Sequence, residues 1–203
     1  MKIYIDFDGT LFNNGKHFQK IINIFKKYNI TKDYIHNLTN NKHYKNMDNL
    51  AKEIIINNNL DKSIIKEINT IYTEELIYKD IIPFLEKYQN QYDLILLTLG
   101  TKKYQLKKIK SSNISKYFKE IIITNKDKSK LNIDYQNNIF IDNNPKELKK
   151  FYNSKAKHLI RIKRNNDKYS KIDLDINNIP EFTSFNQLLE SNYIEKIGEK
   201  NYE

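Results

Sequence analysis

From Ile81 to Leu189, short runs of apolar and β-branched residues alternate with stretches of helical spacing, and this alternation constrains the fold more than any other feature of the chain. Leu94 to Thr98, Glu120 to Thr124, Asn138 to Asp142 and His158 to Ile162 read as buried strands. A helix ending near Tyr88 (Pro83 close to its start), Lys102 to Lys110, a segment opening at Pro145 and Phe185 to Leu189 read as helices. Lys2 to Phe7, alternating and rich in Ile, Tyr and Phe, adds a strand at the N-terminus. The pattern predicts an α/β fold with a parallel sheet of five strands wound on both faces. In such folds the active site lies at the carboxyl ends of the strands.

One stretch breaks the alternation. About Asn14 to Tyr78 carries helical periodicity throughout: Phe18, Ile21, Ile22 and Phe25 share a face, as do Leu50, Ile54 and Ile55, and then Ile64, Ile65, Ile68, Ile71 and Tyr72. Asn37 to Asn49 is polar and reads as a loop or broken helix. From Ser191 the chain reads as a polar, frayed tail.

Composition removes several functions. The chain has no cysteine, so disulfides, thiolate nucleophiles and Cys-based zinc sites are excluded. Asp6 and Asp8 interrupt the apolar stretch a signal peptide would need, and runs such as Leu94 to Leu97 are too short to cross a bilayer. A cytoplasmic protein with no membrane association is expected. The formal charge of +10 invites a nucleic-acid partner, yet among 35 basic residues only Arg161 and Arg164 are arginine, the residue that reads bases and clamps phosphates. Lysine, asparagine and isoleucine all have A/T-rich codons, so the basicity reads as compositional and nucleic acid is not expected as a partner. The histidines (His17, His36, His43, His158) share no metal-ligand spacing and read as surface or packing residues, and Lys16-His17 as a solvated helix start. Arg161 to Arg164 reads as a strand end with solvated charges.

Polar residues that no core demands stand at three strand ends: Asp6 and Asp8, Thr98, and Asp142. Paired carboxylates are costly there unless a cation or a catalytic role compensates. Three acids make an all-oxygen site, the preference of Mg²⁺. Thr98 can donate a hydroxyl to an anion, and the Leu99-Gly100 turn its backbone N–H groups. A lysine beyond the third strand would add positive charge.

The segment Asp6-Phe7-Asp8-Gly9-Thr10-Leu11 resembles motif I of the haloacid dehalogenase (HAD) superfamily, Leu96-Leu97-Thr98 resembles motif II, and Ile141-Asp142-Asn143-Asn144 resembles motif IV, in the family's order. The resemblance covers the chain to about Asn192. It implies a Rossmann-like HAD core (1–13 and 80–192), an α-helical C1-type cap (14–79), and a C-terminal tail (193–203). It implies a Mg²⁺-dependent phosphatase acting on a small phosphorylated metabolite. Asp6 would be the nucleophile and Asp8 the general acid and base. Asp6, the Asp8 carbonyl and Asp142 would hold the metal. Gly9, Thr10, Thr98, Leu99 and a motif III lysine would hold the phosphate. That lysine is Lys126, Lys128 or Lys130; Lys128 is preferred, because Leu131 and Ile133 then fall on the apolar side of a following helix. Asp8 favours phosphatases over dehalogenases, in which that position is replaced. Motif IV commonly carries a second acid, where this chain has Asn143 and Asn144. A nucleic-acid 3′-end phosphatase, a phosphomutase and a phospho-ligand binder without turnover are the alternatives.

Overall fold

The computed structural model describes residues 1–42, 44, 46–165 and 167–199. Six parallel strands form one sheet: β1 (Lys2–Ile5), β2 (Asp93–Leu99), β3 (Glu120–Thr124), β4 (Ile139–Asp142), β5 (His158–Ile162) and β6 (Glu181–Phe182), in the order β3-β2-β1-β4-β5-β6. The sixth strand exceeds the five expected from the sequence. It is two residues long and so shows no periodicity; pairing with Arg161 and Ile162 at the sheet edge defines it.

Side chains alternate across the sheet. Ile3, Ile5, Leu94, Leu96, Ile139 and Ile141 face one core, closed by α5 (Ile81–Tyr88), α8 (Phe185–Glu190) and α9 (Tyr193–Glu199). Tyr4, Ile95, Leu97 and Phe140 face a second, closed by Leu148 and Phe151 of α7 (Pro145–Asn153). The chain therefore does not fray after Ser191: α9 buries Ile194 and Ile197 in the first core. A two-residue apolar signal at i, i+3 is too short to stand out among polar neighbours. Residues 200–203 of the expected tail lie outside the described residues, as does His43.

Between β1 and β2 the chain folds as α1 (Asn14–Lys26), α2 (Lys32–Asn41), α3 (Met47–Asn57) and α4 (Ile64–Thr70). These helices have a core of their own, built on Ile21, Phe25, Ile35, Leu50, Ile54 and Ile68. The two crossings to the sheet run side by side: Asn13 N–H donates to Leu76 O (2.7 Å) and Tyr78 N–H to Leu11 O (3.0 Å). Asn13, Thr31 and Asn46 cap α1, α2 and α3 with side-chain oxygens. Asparagine also replaces glycine, scarce here at four residues, where chain direction reverses: Asn29, Asn59, Asn113, Asn178 and Asn192 have positive φ. No described helix is long and apolar enough to cross a membrane.

Candidate active site

Strand order reverses at β1. The chain steps outward through β2 and β3, then returns to the other side as β4, leaving a crevice at the carboxyl ends of β1 and β4. Ile5 pairs in register with Ile141, so the next residues, Asp6 and Asp142, stand side by side at that crevice. The third strand ends at Thr124, and a 3₁₀ turn, Lys128–Lys130, follows. Asp127 caps it by accepting from Ser129 N–H (3.0 Å), and Tyr135 donates its hydroxyl to Lys128 O (2.8 Å). This turn aims Lys128 between the acids: Nζ lies 2.5 Å from Asp6 Oδ1 and 3.0 Å from Asp142 Oδ2, with the side chain 3% exposed. Lys126 and Lys130 are exposed. No helix follows; Leu131 and Ile133 instead pack from an irregular segment onto the second core, because the chain re-enters the sheet at Ile139.

The Thr98 side chain is buried at the end of β2 with no hydrogen-bond partner for its hydroxyl among the described residues. A buried hydroxyl left unpaired is costly unless a ligand completes it. Two other parts of the expected phosphate cradle are spent internally. Gly9 N–H donates to Phe12 O (2.9 Å), and Gly100 N–H to Thr124 O (2.8 Å). Gly9 is required for a different reason: its φ is 88°, and a Cβ there would meet Asn143 Nδ2 at 2.1 Å. Thr10 holds the nucleophile candidate. Its hydroxyl lies 3.1 Å from Asp6 Oδ2 as donor and accepts from Asn143 N–H at 3.1 Å. Leu99 is exposed at the strand end beside the cleft.

Asp8 lines the same cleft but has its own partners. Its carboxylate is held by Lys108 and by Gln105 Nε2 (2.7 Å), both from α6 (Lys102–Ser111). Lys108 is itself buried among the rings of Phe7, Phe12 and Tyr104. The environments push the two acids apart. Burial, then Asp142, drives the Asp6 carboxyl up against the pull of Lys128. Burial also acts on Asp8, but the Lys108 ammonium and the Gln105 amide hold it below the ordinary range. His17 is not a solvated helix start: it packs between Phe12 and Tyr72, and burial followed by Lys108 pushes it down to about 4. The chain ties α6 to the helical layer as well, since Lys107 Nζ reaches both oxygens of Asp48 on α3 (2.8 and 2.7 Å), which also accepts from the Tyr72 hydroxyl (3.0 Å).

A cavity of about 800 Å³ lies above these groups, floored by Asp6, Thr98 and Lys128 and roofed by α1, α2 and the start of α3. No protein-family model and no curated protein sequence matches the chain. Solved structures do. A HAD phosphatase from Thermococcus onnurineus superposes with a TM-score of 0.62 at 18% identity, over 95% of this chain and 98% of that one. A Bacillus subtilis HAD-type protein bound to magnesium gives 0.63 at 14% identity, over 95% and 98%. The L-2-haloacid dehalogenase of Xanthobacter autotrophicus gives 0.57 at 15% identity, over 80% and 77%. The fold is that of the HAD superfamily.

Within this HAD fold, the crevice oxygens that could meet a hard cation are the carboxylates of Asp6 and Asp142; the Asp8 carboxylate is paired with Lys108. Among the described residues no three His, Cys, Asp or Glu side chains converge as a metal-holding group. The crevice still fits Mg²⁺, which takes few protein oxygens and keeps several waters. Two carboxyl groups share one ammonium there. The Glu147 carboxylate, at the first turn of α7, lines the same cleft with a buried Oε2 that has no partner among the described residues. Sequence reading missed Glu147, Gln105, Lys108 and Asp167, whose carboxylate accepts from Asn143 Nδ2 (2.7 Å). For Glu147 a signal existed, an acid in the first turn of the helix that follows Asp142. Nothing in the sequence marks the others, which reach the site across the fold.

Proposed function

We propose that this chain is a Mg²⁺-dependent phosphatase that hydrolyses a small phosphomonoester through an aspartyl-phosphate on Asp6. The observation that carries the reading is the placement of Asp6, Lys128 and the unpaired Thr98 hydroxyl around one crevice, with a second carboxylate, Asp8, held apart by its own cation. An Asp6 oxygen attacks phosphorus, and the ester oxygen leaves. Lys128 and Thr98 take the phosphoryl oxygens, whose charge is redistributed in the transition state. Asp6, Asp142 and the Asp8 carbonyl would hold Mg²⁺, which would supply charge neutralisation for the transferring group. Asp8 gives the leaving oxygen its proton and later takes one from the hydrolytic water. Lys108 keeps Asp8 ionised at rest, so the first proton arrives with the substrate phosphate, which titrates near pH 6 (roughly). The helical layer over the cleft serves as the cap that excludes water.

Asp8 sets this reading against dehalogenation. Nucleic acid is disfavoured by the arginines, which are buried and not solvated as their place at a strand end suggests. Arg161 is spent on Glu181 (2.8 Å), Tyr169 O and Ile172 O, and Arg164 on Asp80 (2.6 Å) and the face of Tyr78. Turnover of p-nitrophenyl phosphate with Mg²⁺ is expected, abolished by EDTA and in Asp6→Asn, with no halide released from 2-chloropropionate. Halide release without phosphatase turnover would reverse the assignment.

A further inference from the structure

The cleft above the crevice states what it accepts beyond phosphate. A volume of about 800 Å³ is far more than a phosphoryl group requires and matches pockets that enclose a whole small molecule. Among the described residues its roof contributes Phe18, Thr39, Asn40, Tyr44, Asn46 and Met47, all uncharged, in a chain whose lysine content makes cations abundant elsewhere. His17 on the same side is neutral above about pH 4. Three described lysines line the cleft, and two are committed: Lys128 to Asp6 and Asp142, Lys108 to Asp8. The third, Lys168, is exposed, with its ammonium 4.6 Å from the centroid of its neighbour Tyr169. The cleft is also lined by two acids: Glu147, whose Oε1 pairs with Lys150 (2.7 Å) while its buried Oε2 has no partner among the described residues, and Asp167, which accepts from Asn143 Nδ2.

We infer that this site selects phosphomonoesters whose leaving group is uncharged, hydrogen-bonding and sized like a monosaccharide or nucleoside, and rejects those carrying a second anionic group. The inference rests on the phosphatase reading and deepens it. The Asn40 amide gives a donor and an acceptor to hydroxyl-bearing groups, the Asn46 Nδ2 group a donor (its oxygen caps α3) and the Thr39 oxygen an acceptor (its proton goes to His36 O). Phe18, Tyr44 and Tyr104 offer apolar ring surface to a sugar face or a base. A carboxylate or second phosphate entering the cleft would lose water, meet no uncommitted buried cation among the described residues, and approach Glu147 and Asp167. Burying an unpaired charge beside like charge is a strong discriminator.

The test uses matched pairs differing in one anionic group: glycerol 3-phosphate against 3-phosphoglycerate, glucose 6-phosphate against 6-phosphogluconate, and AMP against adenosine 3′,5′-bisphosphate, with p-nitrophenyl phosphate as reference. The uncharged member should have the higher kcat/KM, by roughly tenfold or more in the pair that fits best. The sugar and nucleotide arms separate the two sources of leaving group. Asn40→Lys should narrow the gap by lowering KM for the charged member. Equal rates within every pair, preference for charged members, or turnover of the aryl phosphate alone would overturn the inference and leave the phosphatase standing. Failure of every phosphate, the reference included, would overturn both.

Discussion

Replacing Lys128 by methionine keeps most of its length and removes its charge. In the folded protein Asp6 and Asp142 then face one another with no ammonium between them, in a position where Lys128 was 3% exposed and the acids 9% and 2%. Removing one partner of a buried ion pair costs about 3–5 kcal/mol, because the remaining charge stays desolvated and uncompensated. We expect that loss in urea unfolding at pH 7 without divalent ions. Lys126→Met and Lys130→Met, at exposed positions, should change stability by about 0.5 kcal/mol or less. Two further responses follow from the geometry. Mg²⁺ binds only the folded crevice and at a given concentration should stabilise Lys128→Met more than the parent; a hundredfold excess over the variant's Kd is worth about 2.7 kcal/mol to it. Mild acid should also recover part of the loss, since a carboxyl with a raised folded pKa stabilises the fold as it takes up its proton. kcat/KM should fall about a hundredfold or more. A destabilisation below about 1 kcal/mol, or the same Mg²⁺ response in both proteins, would refute the account of this crevice.

His17 is held at a pKa of about 4 against 6.5 for an ordinary histidine, so the unfolded chain protonates first and stability drops as pH falls from 6.5 to 4. The shift is worth about 3 kcal/mol. Asp6 acts in the opposite sense, so the quantity to measure is the difference in unfolding free energy between the parent and His17→Phe across that range; parallel curves would contradict the assignment. Asp48→Asn removes a partly exposed ion pair between α3 and α6, worth about 0.5–1 kcal/mol. If that pair helps hold the cap over substrate, KM for an aryl phosphate should rise roughly two- to fivefold with little change in kcat, and an unaltered KM would make the pair merely structural.

Much of this was legible in the sequence, for physical reasons that also explain what was not. Strand ends carrying Asp6, Thr98 and Asp142 stand out because a buried edge has no use for them unless they do chemistry. Pro145 after Asn144 marks the start of α7, since the Asn caps and the Pro needs no partner for a missing N–H. Lys128 could be preferred over its neighbours but on a mistaken reason: an expected helix is absent, and Asp127 and Tyr135 set the turn instead. Arg161 and Arg164 look like surface charge in one dimension. They are buried because Glu181, Asp80 and loop carbonyls reach them from distant parts of the chain. The Lys108–Asp8 pair spans 100 residues, and only the folded sheet brings α6 over the first strand. Gly9 and Gly100 fit an anion-binding pattern, yet the Gly9 amide is spent on Phe12 O in its own loop and the Gly100 amide on Thr124 O at the end of β3, a competition that sequence does not reveal.

The claim that Asp6 forms a covalent phosphoenzyme is tested most directly in Asp8→Asn. Asp6 and its partners Lys128 and Thr10 are untouched by that change, so an activated aryl phosphate should still transfer its phosphoryl group. Water attack on the adduct then lacks its base, and the intermediate should accumulate. Rapid acid quenching with a ³²P-labelled aryl phosphate should trap a label that hydroxylamine releases, as it does from an acyl phosphate, with Asp6→Asn carrying none. Product formation with no trapped label in either protein would mean that water attacks phosphorus directly, and the covalent account would be wrong.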